Sequence, residues 1–152
     1  MSRFQSLNVL YPEFCERLRM GLIDANKDGI PLRVFETYRS WYRQTKLYEQ
    51  GRTYPGRIVT NAKAGTSWHN YGLAADLVLF INDRWSWREL DLYHRAAQHF
   101  EKYNLNWLGR SKKFPELVHY ELKVPFTISE AQNIYHEKGG ILGVWNELDQ
   151  FY

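Results

Sequence analysis

Between Tyr11 and Ala25 apolar side chains recur at Phe14, Leu18 and Leu22, the spacing of one face of an α-helix, and Asn26-Lys27-Asp28-Gly29 stops the run. The period then changes. From Ile30 to Tyr38, Leu32, Val34 and Glu36 alternate with Arg33, Phe35 and Thr37, which predicts a strand rich in branched and aromatic residues. A second helix is predicted from about Trp41 to Gln50, closed by Gly51 where a left-handed backbone is needed. Residues 52 to 66, with Pro55, Gly56 and Gly65, show no period and read as a long surface loop of the kind that often carries function. Leu73 to Ile81 is an almost continuous apolar run, as expected of a central strand buried on both faces, and Asp76 within it needs a partner. Ser86 and Glu89 have capping-box spacing and predict a third helix reaching about Tyr103. Leu117 to Val124 reads as a further strand, and Thr127 with Glu130 opens a last substantial helix ending at Gly139-Gly140. The tail, Ile141 to Tyr152, is expected to add a helical turn.

These elements describe an α+β fold, a small central antiparallel sheet flanked by helices. With 152 residues and no repeat or linker, residues 1 to 152 are expected to form a single domain with a core that needs no disulfide staples. Apolar content of 44% and charged content of 24% fit a globular chain. Eleven Tyr and six Trp can supply core or line a groove that grips sugars or peptides, and composition does not choose between them. The net charge of +3 is spread among scattered residues, so nucleic acid is not implied, and no apolar run approaches a membrane span. The lone Cys15 excludes an internal disulfide and reads as a small core residue. Met1-Ser2-Arg3-Phe4-Gln5-Ser6 lacks the apolar stretch of a secretory signal. The expectation is a protein made in the cytoplasm that meets its target after release, or else one exported with a leader absent from this sequence.

The chemistry concentrates in two segments. Ser67-Trp68-His69-Asn70-Tyr71-Gly72-Leu73-Ala74-Ala75-Asp76 is followed some forty residues later by Glu116-Leu117-Val118-His119. His69, Asp76 and His119 supply the three protein ligands that a hydrolytic zinc site uses while keeping one position open, and Glu116 is a spare carboxylate able to move a proton. Glu116 lies three residues before His119 and directly after Pro115, so a turn leading into the strand is needed to bring both to one side.

The pattern Ser-x-His-x-x-Gly-x-Ala-x-Asp with Glu-x-x-His resembles the zinc D-Ala-D-Ala carboxypeptidase and dipeptidase superfamily, particularly its phage and bacterial L-alanyl-D-glutamate endopeptidases. Upstream, Tyr38-Arg39-Ser40, Gln44, Leu47-Tyr48 and Gly51-Arg52 match the same pattern, so the resemblance covers roughly residues 7 to 125. It implies a hedgehog/D-Ala-D-Ala peptidase-like fold and a zinc metallopeptidase with Zn²⁺ on His69, Asp76 and His119. It also implies Glu116 as catalytic base, Arg39 facing the scissile carbonyl, and Ser67 and Gln44 as residues facing the substrate. Relatives carry a Trp-Gly-Gly-x-Trp stretch before the second half; here Trp107 and one Gly remain within Asn106-Trp107-Leu108-Gly109-Arg110-Ser111-Lys112, while the second Trp is absent. The departure bears on one wall of the cleft.

The function implied is endolysin-like hydrolysis of the peptidoglycan stem peptide, at the L-Ala-D-Glu bond, by a monomer that inserts in no membrane. The alternatives are a D-Ala-D-Ala carboxypeptidase, or a zinc-stabilised domain that binds peptidoglycan without cutting it. The spare Glu116 speaks against the binder, because a structural zinc site has no use for a base. Asp24 to Gly29 begins like a calcium loop, but Pro31 lies inside it and Phe35 takes the place of the final Glu, so a helix-ending turn is expected. His94 and His99 stand five apart, off one helical face, and His136 suits a helix C-terminus. Trp85, Trp87 and Trp145 read as packing anchors, with an exposed ring able to line a groove.

Overall fold

In a computed structural model, which describes residues 3–152, the sheet is built around one long central strand. Met1 and Ser2 of the opening segment lie outside the described residues. Helix α1 (Pro12–Lys27) precedes β1 (Leu32–Glu36), and α2 (Trp41–Glu49) is followed by the long loop and a 3-10 turn at Trp68–Tyr71. Then come β2 (Ala74–Ile81), β3 (Arg84–Ser86), α3 (Leu90–Glu101) and β4 (Leu105–Trp107). The chain closes with β5 (His119–Leu122), α4 (Ile128–Glu137) and α5 (Ile141–Leu148). Every strand pairing is antiparallel, in the order β1-β2-β5-β4, with β3 returning as a hairpin on β2.

The alternation along β2 separates two faces. Ala75, Leu77 and Leu79 join the core with Leu32, Tyr120 and Leu122, and α1 and α3 cover this face with Phe14, Leu18, Tyr93, Ala97 and Phe100. Gly21 lets the two helices approach: a Cβ there would lie 2.3 Å from the Phe100 ring. Asp76 belongs to the opposite face, where β5 presents His119 and Glu121.

Simple alternation along β1 would put Glu36 on the core face with Leu32 and Val34. It does not, because the register shifts between Val34, opposite Leu77, and Glu36, opposite Asp76. Phe35 is the extra residue of a β-bulge, and the bulge turns Glu36 to the outer face. Glu36, Asp76 and His119 therefore form one row across three neighbouring strands.

The third helix begins later than its sequence signal. Ser86 pairs with Leu79 as the end of β3, and α3 starts at Leu90 after Glu89; the Ser86 hydroxyl does meet the Glu89 carboxylate, bracing the connection instead of capping the helix. The Thr127–Glu130 capping box forms as expected. The tail holds a helix of eight residues, α5, whose Val144 and Leu148 are buried. Asp24 to Gly29 is a helix end, with Asp28 at the cap and Gly29 at φ 76°. Cys15 is buried, and no helix among the described residues is long and apolar enough to cross a membrane.

Candidate active site

His69 is placed by a turn that the local sequence specifies. Ser67 caps the 3-10 turn, its Oγ accepting from the His69 N–H at 3.3 Å, and Gly72 ends it at φ 68°. Asn70, almost wholly buried, ties the neighbourhood together: Oδ1 accepts from the Gly65 N–H at 3.0 Å and Nδ2 donates to the Arg39 carbonyl at 2.9 Å. Gly72 is required twice over, because its backbone is left-handed and a Cβ would lie 2.9 Å from the Trp145 ring.

The structure brings His69, Asp76 and His119 together, with one potential ligand atom from each within 4.8 Å of the others. His69 Nε2 and His119 Nδ1 both stand 3.3 Å from Asp76 Oδ1. The opposite ring nitrogens are committed elsewhere. His69 Nδ1 donates to the Thr37 carbonyl at 2.7 Å, and His119 Nε2 pairs with Glu121 Oε2 at 3.0 Å. With those protons assigned outward, the nitrogens facing Asp76 carry lone pairs, and His69 Nε2 is buried with no hydrogen-bond partner. With both rings neutral, two lone pairs converging on a carboxylate oxygen repel it unless a cation, a proton or a metal ion, sits among them. The donor set therefore fits a divalent metal ion.

The electrostatics point the same way. Burial is the largest influence on Asp76 and pushes its carboxyl up, but charge and hydrogen bonding from His69 and His119 outweigh it and hold the group well below the usual carboxylate range. At His119 burial favours the neutral ring, yet hydrogen bonds to Asp76 and Glu121 prevail and raise it to about 10. A proton on His119 thus does for Asp76 what a metal cation would do, and a metal entering the site displaces it.

A cleft of about 640 Å³ opens over this trio, and Glu116, Arg39 and Ser67 line it as well. Glu116 is exposed at its lip, in the turn expected before β5: the Glu116 carbonyl accepts from the His119 N–H at 3.4 Å. The Leu108 carbonyl fixes the other side of that turn by accepting from the Glu116 N–H at 3.1 Å. Here the altered Trp107 to Lys112 stretch has a structural role. Trp107 Nε1 donates to the Leu117 carbonyl at 2.7 Å, and Gly109 must be glycine because a Cβ would lie 2.1 Å from the Trp107 ring.

Arg39 is buried beside Asp76 of the candidate ligand trio. Its Nε and Nη2 reach Glu36 Oε1 at 2.9 and 2.5 Å, Nη1 donates to Gln44 Oε1 at 3.0 Å, and Nη2 lies 3.5 Å from Asp76 Oδ2. Glu36 also meets Arg43, so one buried carboxylate holds two guanidinium groups. Gln44 is placed differently from the expectation of a substrate-facing residue. It is fully buried beneath Arg39, and its Nε2 donates to the Ala62 carbonyl at 2.8 Å, so it orients Arg39 and anchors the long loop. Arg52 clasps that loop from the other end, donating to the carbonyls of Tyr48 and Thr60 at 2.6 and 3.1 Å. The loop's Val59, Thr60, Ala62 and Thr66 form one cleft wall, and exposed Trp87, held edge-on by Phe35 at 4.9 Å, forms part of another. His94 and His136 are exposed and His99 pairs with Asp28; none joins the site. Glu36, Thr37 and Glu121 are the residues of the site that the sequence reading passed over.

The antiparallel sheet thus carries three potential metal ligands at the floor of a cleft of about 640 Å³. Residues 8–134 match the model of the VanY D-alanyl-D-alanine carboxypeptidase family, and the chain belongs to that family. It is 54% identical over 59 residues to the peptidoglycan L-alanyl-D-glutamate endopeptidase CwlK of Bacillus subtilis (strain 168), a stretch covering 39% of this chain and 35% of that protein. The match thus spans about a third of the curated relative's length. Among solved structures the fold is similar to the L-Ala D-Glu endopeptidase ChiX of Serratia marcescens, with a TM-score of 0.60, 23% identity, and coverage of 80% of this chain and 90% of that one. It is also similar to the LD-carboxypeptidase LdcB (TM-score 0.61, 20% identity, 97% and 72% coverage). A third likeness is to a mutant of the vancomycin-resistance D,D-pentapeptidase VanY in complex with Zn(II) (TM-score 0.59, 19% identity, 88% and 82% coverage).

Proposed function

We propose that this chain is a zinc-dependent endopeptidase that hydrolyses the stem peptide of peptidoglycan at the L-Ala-D-Glu bond. The observation that carries the reading is the convergence of His69, Asp76 and His119 in one cleft with a separate carboxylate, Glu116, and a fixed guanidinium, Arg39. The 54% identity to CwlK supports the choice of bond. His69, Asp76 and His119 would hold the ion through Nε2, a carboxylate oxygen and Nδ1. Zinc held there supplies Lewis acidity toward a peptide carbonyl and makes water a stronger acid. Glu116, exposed at the lip, is free of the ligand trio and serves as the proton-transfer group, taking a proton from water and returning it to the departing amine. Arg39, clamped by Glu36 and Gln44, places fixed positive charge beside Asp76 to stabilise the oxygen on which negative charge develops. Ser67 lines the cleft while its hydroxyl caps the His69 turn.

The family model's own description favours a second reading, cleavage of a terminal D-Ala. Digestion of purified muropeptides followed by mass analysis separates the two. The endopeptidase exposes a new N-terminal D-Glu, whereas loss of terminal D-Ala alone selects the carboxypeptidase. Binding of peptidoglycan by zinc-loaded protein with no peptide released would reject both in favour of a binding domain. The resemblance to phage enzymes extends our reading to a wall-degrading, endolysin-type role, for which clearing of cell-wall suspensions is the assay.

A further inference from the structure

The two histidines of the candidate metal site offer opposite ring nitrogens, His69 through Nε2 and His119 through Nδ1. For His69 the choice is made by a backbone carbonyl, Thr37, which no side-chain substitution removes. For His119 it is made by a side chain. We propose that Glu121 is a positioning residue of the metal centre: its carboxylate accepts the Nε2–H of His119 and so fixes the tautomer and ring plane that present Nδ1 to the ion. This rests on the zinc reading of the site and deepens it.

Strand geometry makes the pairing a property of the sequence. His119 and Glu121 are two apart on β5, so both side chains leave the same face of the sheet, while Tyr120 between them enters the core. Register places His119 opposite Asp76 and Glu121 opposite Ala74. A small neighbour there leaves room for the carboxylate to turn toward the ring. The resulting line runs Asp76 Oδ1, His119 Nδ1, His119 Nε2, Glu121 Oε2, with both end contacts at 3.0 to 3.3 Å. Both partners are largely shielded, with 12% and 17% of their side chains exposed, so water competes poorly for the Nε2–H. Among the described residues the group whose atoms converge for an ion is His69, Asp76 and His119, and Glu121 stands behind it. A carboxylate behind a ligating imidazole raises the ring's basicity and holds its orientation; losing such a partner typically costs about 10- to 100-fold in metal affinity.

The test measures zinc affinity by competition with a chromophoric chelator, and the His119 tautomer by ¹⁵N NMR of the zinc-loaded protein, in which the ring is neutral. Glu121→Ala should bind zinc about 10- to 100-fold more weakly and lose the dominant Nε2–H tautomer at His119. Glu121→Gln, whose amide oxygen accepts the same bond, should recover most of the affinity and keep that tautomer. Circular dichroism of both variants without zinc confirms that each folds. Wild-type zinc affinity and an unchanged tautomer in Glu121→Ala overturn the inference while leaving the metal reading intact. A Glu121→Gln protein that folds yet binds as weakly as Glu121→Ala overturns the hydrogen-bond origin of the effect. Failure of the wild-type protein to bind zinc defeats the metal reading itself, and the inference with it.

Discussion

Of the four carboxylates that line the cleft, Asp76 and Glu116 have surroundings that suit them to different work. Asp76 is walled in by His69, His119 and Arg39, where an anion is held firmly and has no room to swing. Glu116 sits exposed on a turn fixed only through its backbone, which leaves its carboxylate free to accept and release a proton. Under the proposed mechanism, Glu116→Gln should therefore keep stoichiometric zinc and lose turnover by about 10²- to 10⁴-fold, the range for removing a general base. His119→Ala should lose zinc and turnover together. Metal content by atomic absorption beside muropeptide release distinguishes the cases, and a Glu116→Gln enzyme with near-normal rate would remove Glu116 from the role. Arg39 belongs with Asp76 in kind: it is buried, it is held by Glu36, and its fork is oriented by Gln44. The ligand trio and Glu116 were legible because their types and spacing are specific to one chemistry. Gln44 was legible as part of the site but not in its direction, since an amide can serve the substrate or another side chain, and only packing decides which. Glu36 was hidden by the bulge, which moves it off the face that alternation assigns.

Helices α1 and α3 illustrate how elements are joined by more than their apolar faces. Beside the contact of Gly21 with Phe100, two aspartates of the α1 end reach α3 and the turn after it. Asp24 meets Lys102 at 2.7 Å and also the Tyr103 hydroxyl, and Asp28 meets His99 at 3.0 Å and Arg95 at 3.3 Å. Hydrogen bonds from Lys102 and Tyr103 hold the Asp24 carboxyl below its ordinary value, and the bond from His99 does so for Asp28. A carboxyl depressed in the folded state adds stability above its unfolded pKa of about 3.9, and that stability disappears as pH falls through the folded value. The melting temperature should thus drop between about pH 5 and pH 3, and Asp24→Asn with Asp28→Asn should make that drop shallower while lowering stability slightly at neutral pH. Equal acid slopes in the two proteins would show that the clasp contributes nothing. These contacts are exposed, so added salt should shrink the difference. At this scale the helices were readable from their period, and so was β2 from its apolar run. Strands β3 and β4, three residues each, are too short to display any period; they exist because β2 and β5 offer edges to pair with. Ser86 carried a capping signal that pairing with Leu79 overrode.

Across the whole molecule, the candidate metal site joins segments that are distant in sequence. His69 comes from the turn after the long loop, Asp76 from the central strand and His119 from β5, while Thr37 and Arg39, just past β1, attach the first strand's end to the same point. The row Glu36, Asp76 and His119 concentrates polar side chains on one face of the sheet, where apolar ones would contribute burial. Folding brings three acceptor atoms together at a cost, and a bound cation relieves it; the unfolded chain, with His69 and His119 lying 50 positions apart, has no such site. Metal binding and folding must then be linked, by RT ln(1 + [Zn]/Kd) for an ion that binds only the folded state. At a free zinc concentration about 100 times Kd this is roughly 2.7 kcal/mol, which for a chain of this size raises the melting temperature by roughly 5 to 10 °C. Chelation should lower the melting temperature by that amount, and the dependence on log[Zn] should be linear well above Kd. Asp76→Asn, which keeps the shape of the side chain but removes the shared anion, should melt at one temperature with or without chelator. If the wild-type protein also melts at one temperature under both conditions, the ion does not hold these strands together; if the variant retains the full shift, Asp76 is not the group through which the ion acts.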